Sequence, residues 1–423
     1  MKGARLALAL GVALWGCRGD RRGGSTATGD AAGSGGDSAG SADSAAPSEI
    51  CGEGGAGPTA WWPGAGSTRV AVRVASPDGA SPGATHALAL DLGSLGIDDP
   101  ALLATARLLR PGCDHASPDL DLQVEDGLSG LLDPRDHGSP LGDGRGDLYF
   151  TWPADDPLAP GDERDLWLHL GGDAAPALEA GVAAAPGSLS AGALLATFDA
   201  GRGGLLDGLR LGDGPPLLDQ ASAGAGNGAW VGDWAATPTH SAGALAVLAD
   251  GPLVGVVQAT GTRAGLAWTV TYAVPRAGDA LWLKTHLEAV EAVWLDHPGD
   301  WANGVRPLQS RHPALEPVTA SLPEPPYDGL ELAGPGGGLV IAWRSPPARR
   351  PYPPEVYGGN LIVFGHDLGA SEGGARGIEA GAAVFDHRTM LLLPHDGDPS
   401  SARASMPARL AGLTLTLGAV ERR

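Results

Sequence analysis

From Arg69 onward the chain is a succession of short runs in which apolar and polar residues alternate: RVAVRV (69–74), HALALDL (86–92), DLDLQVED (119–126), DLYFTW (147–152) and RDLWLHL (164–170). Successive side chains of a strand point to opposite faces, so each run predicts a strand with one buried and one wet face. Gly, Pro and Asp bound these runs, and such residues make turns. The same signal continues through LLATFD (194–199), GPLVGVVQATG (251–261), LAWTVTYAVP (266–275) and LWLKTHLEAV (281–290). It then runs on through GLELAG (329–334), GGLVIAWRS (337–345), NLIVFGHDL (360–368), TMLLLP (389–394) and LAGLTLTLGAV (410–420). One stretch, Asp98–Arg110, has helical spacing instead, with Asp99 as N-cap, Pro100 at the first helical position and Gly112 as stop. No repeat of fixed period and no heptad appear, which excludes a solenoid and a coiled coil. The fold class expected is all-β.

Composition divides the chain. Residues 18–60 are rich in Gly, Ser, Ala and Asp and nearly free of large apolar side chains, so they bury too little to offset the entropy of ordering and are expected to form a disordered tether. Asp173–Gly192 is rich in small residues and reads as a linker between two folded domains, 61–185 and 186–423. The 68 Gly and 36 Pro of the 423 residues are otherwise spread between strands, as many turns require. A formal charge of -21 offers no basic stripe for a phosphate backbone, so no nucleic-acid partner is expected.

Residues 1–17 hold Lys2 and Arg5, then an apolar run from Leu6 to Trp15, too short to span a bilayer. Leu14-Trp15-Gly16-Cys17 resembles the lipobox of bacterial lipoproteins. That resemblance implies lipidation at Cys17 and anchoring to a membrane through the lipid. Arg18 after the cysteine implies the outer membrane of a Gram-negative cell, hence an extracytoplasmic protein. Cys51 and Cys113 remain, and in an oxidising compartment they form either one disulfide or two thiols.

Gln123–Asp126, Gly146–Phe150 and Leu158–Leu168 resemble the accessory β-sandwiches of secreted bacterial carbohydrate-active proteins. Gly203-Gly204, Leu209-Arg210-Leu211 and Pro216-Leu217-Leu218, with Gly251–Val254, Trp268–Tyr272 and Leu281–Leu287, are similar to galactose-mutarotase-like domains. These resemblances imply an N-terminal antiparallel β-sandwich followed by a larger β-supersandwich, with a carbohydrate as partner. They carry over no catalytic residue.

P-loop, dinucleotide, HExxH, nucleophile-elbow and paired CxxC motifs are absent. Gly201-Arg202-Gly203-Gly204 leads into a strand and reads as a turn, and Arg145-Gly146-Asp147 reads as a chance match to an adhesion tripeptide. Three loops instead gather His, Asp and aromatic residues: Trp230 to His240, Trp294 to Trp301, and Arg311-His312. Sugar sites use imidazoles or carboxylates for proton transfer and aromatic faces for stacking. The candidates are His240, His297, His312 and His366 for proton transfer, with Trp234, Trp301, Arg311 and Tyr357 as sugar contacts. Imidazoles outnumber matched acidic pairs, so an enzyme here would act by lyase or epimerase proton abstraction. The alternatives are a non-catalytic surface protein, and a structural use in which Trp294 and Trp301 plug the sandwich end while Asp296 and Asp300 hold turns. No cofactor is expected, apart from Ca²⁺ if Asp296, Asp300, Asp396 and Asp398 converge as oxygen donors.

Overall fold

The alternation along each run decides which layers a sheet joins. In the strand Val254–Arg263, Val257 and Ala259 enter one core while Val254 and Val256 enter another, so both faces of its first half are dry. The computed structural model describes residues 61–423, except 62–63, 65, 81–82, 111–119, 126–144, 154–155, 174–176, 215, 220–231, 234–240, 296–297, 303–315, 319–326, 335–336, 345–354, 358–359 and 364–375. Within several strands only the backbone is described. The protein is all-β, and all its strand pairings are antiparallel among the described residues.

Four sheets stack as successive layers. The first has the order Thr414–Arg422, Thr68–Ser76, Asp162–Leu170, Arg107–Leu109. The second has the order Thr85–Asp91, Arg145–Thr151, Leu122–Glu125. Val70, Val72, Leu166 and Leu168 from the first meet Leu88, Leu90, Leu148 and Phe150 from the second in one core. The other face of the second sheet, through Ala87 and Tyr149, packs on Val254, Val256, Ala273, Trp282 and Leu391 of an eight-stranded central sheet. That central sheet turns its far face, with Trp268, Val270, Tyr272, Leu283 and Leu392, onto a fourth, five-stranded sheet. The fourth sheet replies with Leu189, Leu194, Ala196, Phe198 and Leu209.

Three expectations are corrected. The helix expected over Asp98–Arg110 is one short 3-10 segment, Pro100–Thr105, after which Arg107–Leu109 joins the first sheet. Asp99 does cap it, accepting from the Ala101 N–H at 3.0 Å, but Leu108 and Leu109 are needed as core residues in a strand. The stretch expected as a linker contains a hairpin, Val182–Ala185 with Ser188–Ala191, that forms the edge of the fourth sheet. Its small residues permit close packing: a Cβ added at Gly255 would lie 2.5 Å from Val182. The third correction is a helix, Ser400–Ala411, where the pattern suggested more meander. Met406 and Leu410 seat it in the core between the second and central sheets, and Arg409 ion-pairs with Asp279.

Two readings hold. Gly203 and Gly204 have φ of 78° and 70°, so they make the turn ahead of Leu205–Leu211. Arg145-Gly146-Asp147 lies inside a strand with Asp147 fully buried, which removes it from any adhesive role.

Where the layers touch, backbone conformation is constrained. Gly278 sits at φ 62° in the turn before Leu281–Ala289, and a Cβ there would lie 2.0 Å from the Ala191 carbonyl oxygen in the fourth sheet. Gly278→Ala combines a left-handed backbone with that overlap, so a loss of about 2–4 kcal/mol is expected. Urea unfolding of the variant measures it; an unchanged midpoint would show that the two sheets separate without penalty.

At the far end Trp61 packs on Arg69, whose guanidinium lies 4.6 Å from the Trp61 ring and 4.0 Å from Trp167. Arg69 is only 3% exposed, and its Nη2 donates to Glu421 of the last strand at 2.5 Å. The charge is stabilised by two π faces and a carboxylate, which is what burial of an arginine requires.

Candidate functional site

Strand Leu281–Ala289 lies fourth in the central sheet, between Leu266–Pro275 and Ala383–His395. Its odd positions Leu281, Leu283 and Leu287 face the fourth sheet. Trp282 enters the opposite core, and alternation carries Lys284, His286 and Glu288 onto that same face. The apolar cover ends after Trp282 and the face turns polar. Lys284 is buried, at 5% exposed, while the side chains of His286 and Glu288 are 22% and 43% exposed. His286 Nε2 stands 3.6 Å from Glu288 Oε2.

Register extends this strip sideways. Lys284 pairs with Thr271, His286 with Thr269, and Thr271 with Gln258. Gln258 Nε2 donates to Thr271 Oγ1 at 3.1 Å. An ammonium, an imidazole, a carboxylate, hydroxyls and a carboxamide thus share one face of three adjacent strands. That set can donate to and accept from several hydroxyls at once, and the imidazole and carboxylate can exchange a proton. The sequence carried a usable signal for it: Trp282, Lys284, His286 and Glu288 are alternate positions of one otherwise apolar strand.

Beyond Ala289 the chain enters a two-stranded ribbon, Val293–Leu295 with Arg376–Ile378. Trp294 pairs with Gly377, and a Cβ built on that glycine would touch Cε3 and Cζ3 of the indole at 3.5 and 3.6 Å. The ring therefore lies across the glycine, supported from below. The core holds a second tryptophan over a cross-strand glycine. Trp268 covers Gly261, where a Cβ would come within 2.2 Å of Cζ2. Trp268 is sealed in the core and donates its Nε1–H to the Gly203 carbonyl at 3.0 Å. Trp294, by contrast, is 67% exposed. The expectation that Trp294 plugs the sandwich end is thus corrected: its upper face is open to solvent.

Most of the other candidates lie outside the described residues: Cys17, Cys51, Cys113, Trp234, His240, His297, Arg311, His312 and His366. Trp301 and Tyr357 are described at the backbone, in a small sheet ordered Gly232–Asp233, Pro298–Ala302, Asn360–Val363, Glu355–Tyr357. Its register aligns Trp301 with Ile362 and Glu355, and Tyr357 with Asn360. Asp233 pairs with Pro298, the chain neighbours of Trp234 and His297. Segments more than 120 residues apart in sequence are joined in this one sheet. Of the four aspartates considered for Ca²⁺, Asp398 accepts the Ser400 N–H at 2.9 Å at the start of the helix, and hydrogen bonds from the Ser400 side chain and backbone hold its carboxyl below the usual carboxylate range. Among the described residues no group of three metal-ligating side chains converges.

No protein-family model matches the chain, and no curated protein matches it. Among solved structures it is similar to a glycosyl hydrolase family 38 protein from Enterococcus faecalis, with a TM-score of 0.43 and 10% identity over 83% of this chain and 47% of that one. It is also similar to an alpha-mannosidase from Enterococcus faecalis V583, with a TM-score of 0.42 and 12% identity over 83% of this chain and 46% of that one. The chain spans about half the length of each, and no residue role transfers at that level of likeness.

Proposed function

We propose that this is an extracytoplasmic lipoprotein, held to the outer membrane through Cys17, that binds an extracellular carbohydrate. The observation that carries the reading is Trp294. A large indole braced on a glycine and open on its other face has the form of a platform for the apolar face of a sugar ring. Water-exposed tryptophan is otherwise costly, because burying an aromatic of this size is strongly favourable. Trp234, Trp301, Arg311 and Tyr357 remain the further contacts this reading assigns.

Trp294→Ala is expected to weaken binding to a recognised polysaccharide at least tenfold, about 1.4 kcal/mol, and Trp294→Phe to recover part of it. Affinity electrophoresis in gels containing a panel of polysaccharides reads this directly. Equal retardation of wild type and Trp294→Ala would overturn the platform, and absence of retardation across the panel would overturn the carbohydrate reading.

A second reading is favoured by the strip on Leu281–Ala289: an imidazole, a carboxylate and an ammonium on one face suit proton abstraction next to a sugar carboxylate. His240, His297, His312 and His366 are the other proton-transfer candidates. Formation of unsaturated product from polyuronides, lost in His286→Gln, is the expected signature.

A further inference from the structure

We propose a second ligand site, on the outer face of the fourth sheet, that takes one carboxylate-bearing sugar residue of the hexuronate class. It goes beyond the Trp294 surface and does not depend on it.

The site is a groove of about 340 Å³ lined by Leu195, Thr197, Asp207, Gly208, Arg210 and Pro216. Strand alternation creates it. Leu194, Ala196 and Phe198 point into the core, so Leu195 and Thr197 point out. In the neighbouring strand the register slips between Leu206 and Gly208, leaving Asp207 as the extra residue of a bulge. Gly208 then stands opposite Thr197, and Arg210 opposite Leu195. A glycine within a strand beside a bulge marks a place where another group approaches the backbone closely, and here it forms the floor.

Charge selects the ligand. Asp207 is held by Arg202, whose Nη1 donates to Oδ1 at 2.8 Å, so that carboxylate is offset. Arg210 is exposed on the rim and makes no ion pair among the described residues. Among the described side chains the groove therefore keeps one guanidinium without an acidic partner, on a chain whose net charge is -21. A guanidinium recognises a planar carboxylate through two parallel hydrogen bonds. The Thr197 hydroxyl and the Asp207 carboxylate supply partners for ring hydroxyls, and Leu195 and Pro216 supply an apolar wall. The volume lies at the lower end of ligand pockets, about 300–1,000 Å³, which suits a single ring rather than a longer chain.

The test is calorimetric titration of the intact protein with galacturonate and glucuronate, using galactose, glucose and acetate as controls. At least one uronate is expected to bind at least tenfold more tightly than its neutral counterpart and than acetate. Arg210→Leu is expected to lower that affinity at least tenfold with an unchanged melting temperature, since the side chain is exposed, and Arg210→Lys to restore part of it. Gly208→Val, which raises the floor, is expected to abolish binding. Trp294→Ala is expected to leave the titration unchanged, so failure of the polysaccharide reading and failure of this one are separable. Uronate affinity that is absent, equal to that of acetate, insensitive to Arg210→Leu, or lost in Trp294→Ala would overturn the site.

Discussion

Gln123→Leu is expected to cost the fold about 3–5 kcal/mol, from loss of hydrogen bonds at a buried seam where each stranded group costs about 1–3 kcal/mol. Gln123 belongs to the second sheet but spends its carboxamide on the central one. Oε1 accepts from the backbone N–H groups of Leu253 and Val254 at 2.7 and 2.9 Å. Nε2 donates to the Val254 carbonyl at 3.0 Å and to Glu125 Oε1 at 2.6 Å. The carbonyls at this seam are served by the backbone, Leu253 accepting the Arg276 N–H at 2.7 Å and Val254 the Gly251 N–H at 3.3 Å, while the Leu253 and Val254 N–H groups turn to Gln123. The carboxamide thus uses two donors and two acceptor sites, the full capacity of the group. Leucine would fill the volume and leave two buried N–H groups without partners. Gln123→Glu would return the acceptor but lose the donor beside Glu125, whose own carboxyl is already raised by burial and held down by this hydrogen bond. Denaturant unfolding at neutral pH should rank wild type above both variants, and a loss below about 1 kcal/mol in Gln123→Leu would mean that the seam is not dry.

Gln123 also illustrates which part of the fold was readable. The run DLDLQVED marked a strand and a wet side correctly in period. Period cannot say that the "wet" glutamine faces another sheet. Alternation fixes faces, but it does not name partners. The pairing of Thr68–Ser76 with Thr414–Arg422, across some 350 residues, left no local trace. The helix Ser400–Ala411 was missed because its sequence, SSARASMPARLA, carries a proline at 407 and a weak apolar stripe. Among its described side chains only Met406, Ala408 and Leu410 are buried, and tertiary packing rather than propensity holds it. The hairpin at 182–191 was missed because Ala, Gly and Ser resemble a linker in composition. Here their small size allows the fourth sheet to approach Gly255 and Gly278.

For the candidate site the sequence and the structure single out residue 294 by different properties. Clusters of His, Asp and Trp in loops drew notice to 294–301, yet what distinguishes Trp294 is an open ring face over Gly377. That juxtaposition needs the pairing of residues about 80 apart. Lys284, His286 and Glu288 are hidden by the pattern itself: LWLKTHLEAV reads as a strand, and alternation alone does not mark its polar positions as a site. Arg210 was similarly absorbed into a strand pattern, and only the bulge at Asp207 turns its surroundings into a groove.

Acid should destabilise this protein through one histidine. His86 is buried beside Phe150, at a ring separation of 5.8 Å, and its Nε2 has no hydrogen-bond partner. Burial, with added repulsion from the Arg409 guanidinium, lowers the imidazole from 6.5 to about 3. The folded state therefore favours the neutral ring, whereas the unfolded chain takes up a proton once the pH falls below about 6.5. This contribution is complete above pH 6.5 and is lost progressively as the pH falls toward about 3, at about 1.4 kcal/mol per pH unit. Between neutrality and pH 4.5 the expected loss is about 3 kcal/mol. Carboxylates begin to titrate in the same direction at the lower end, so the difference between wild type and His86→Leu isolates the imidazole. The variant keeps an apolar side chain against Phe150 and should show a markedly flatter decline in unfolding free energy from pH 7 to 4.5. Parallel declines for the two proteins would show that His86 is protonated in the folded state, and that the layer between the first and second sheets admits water.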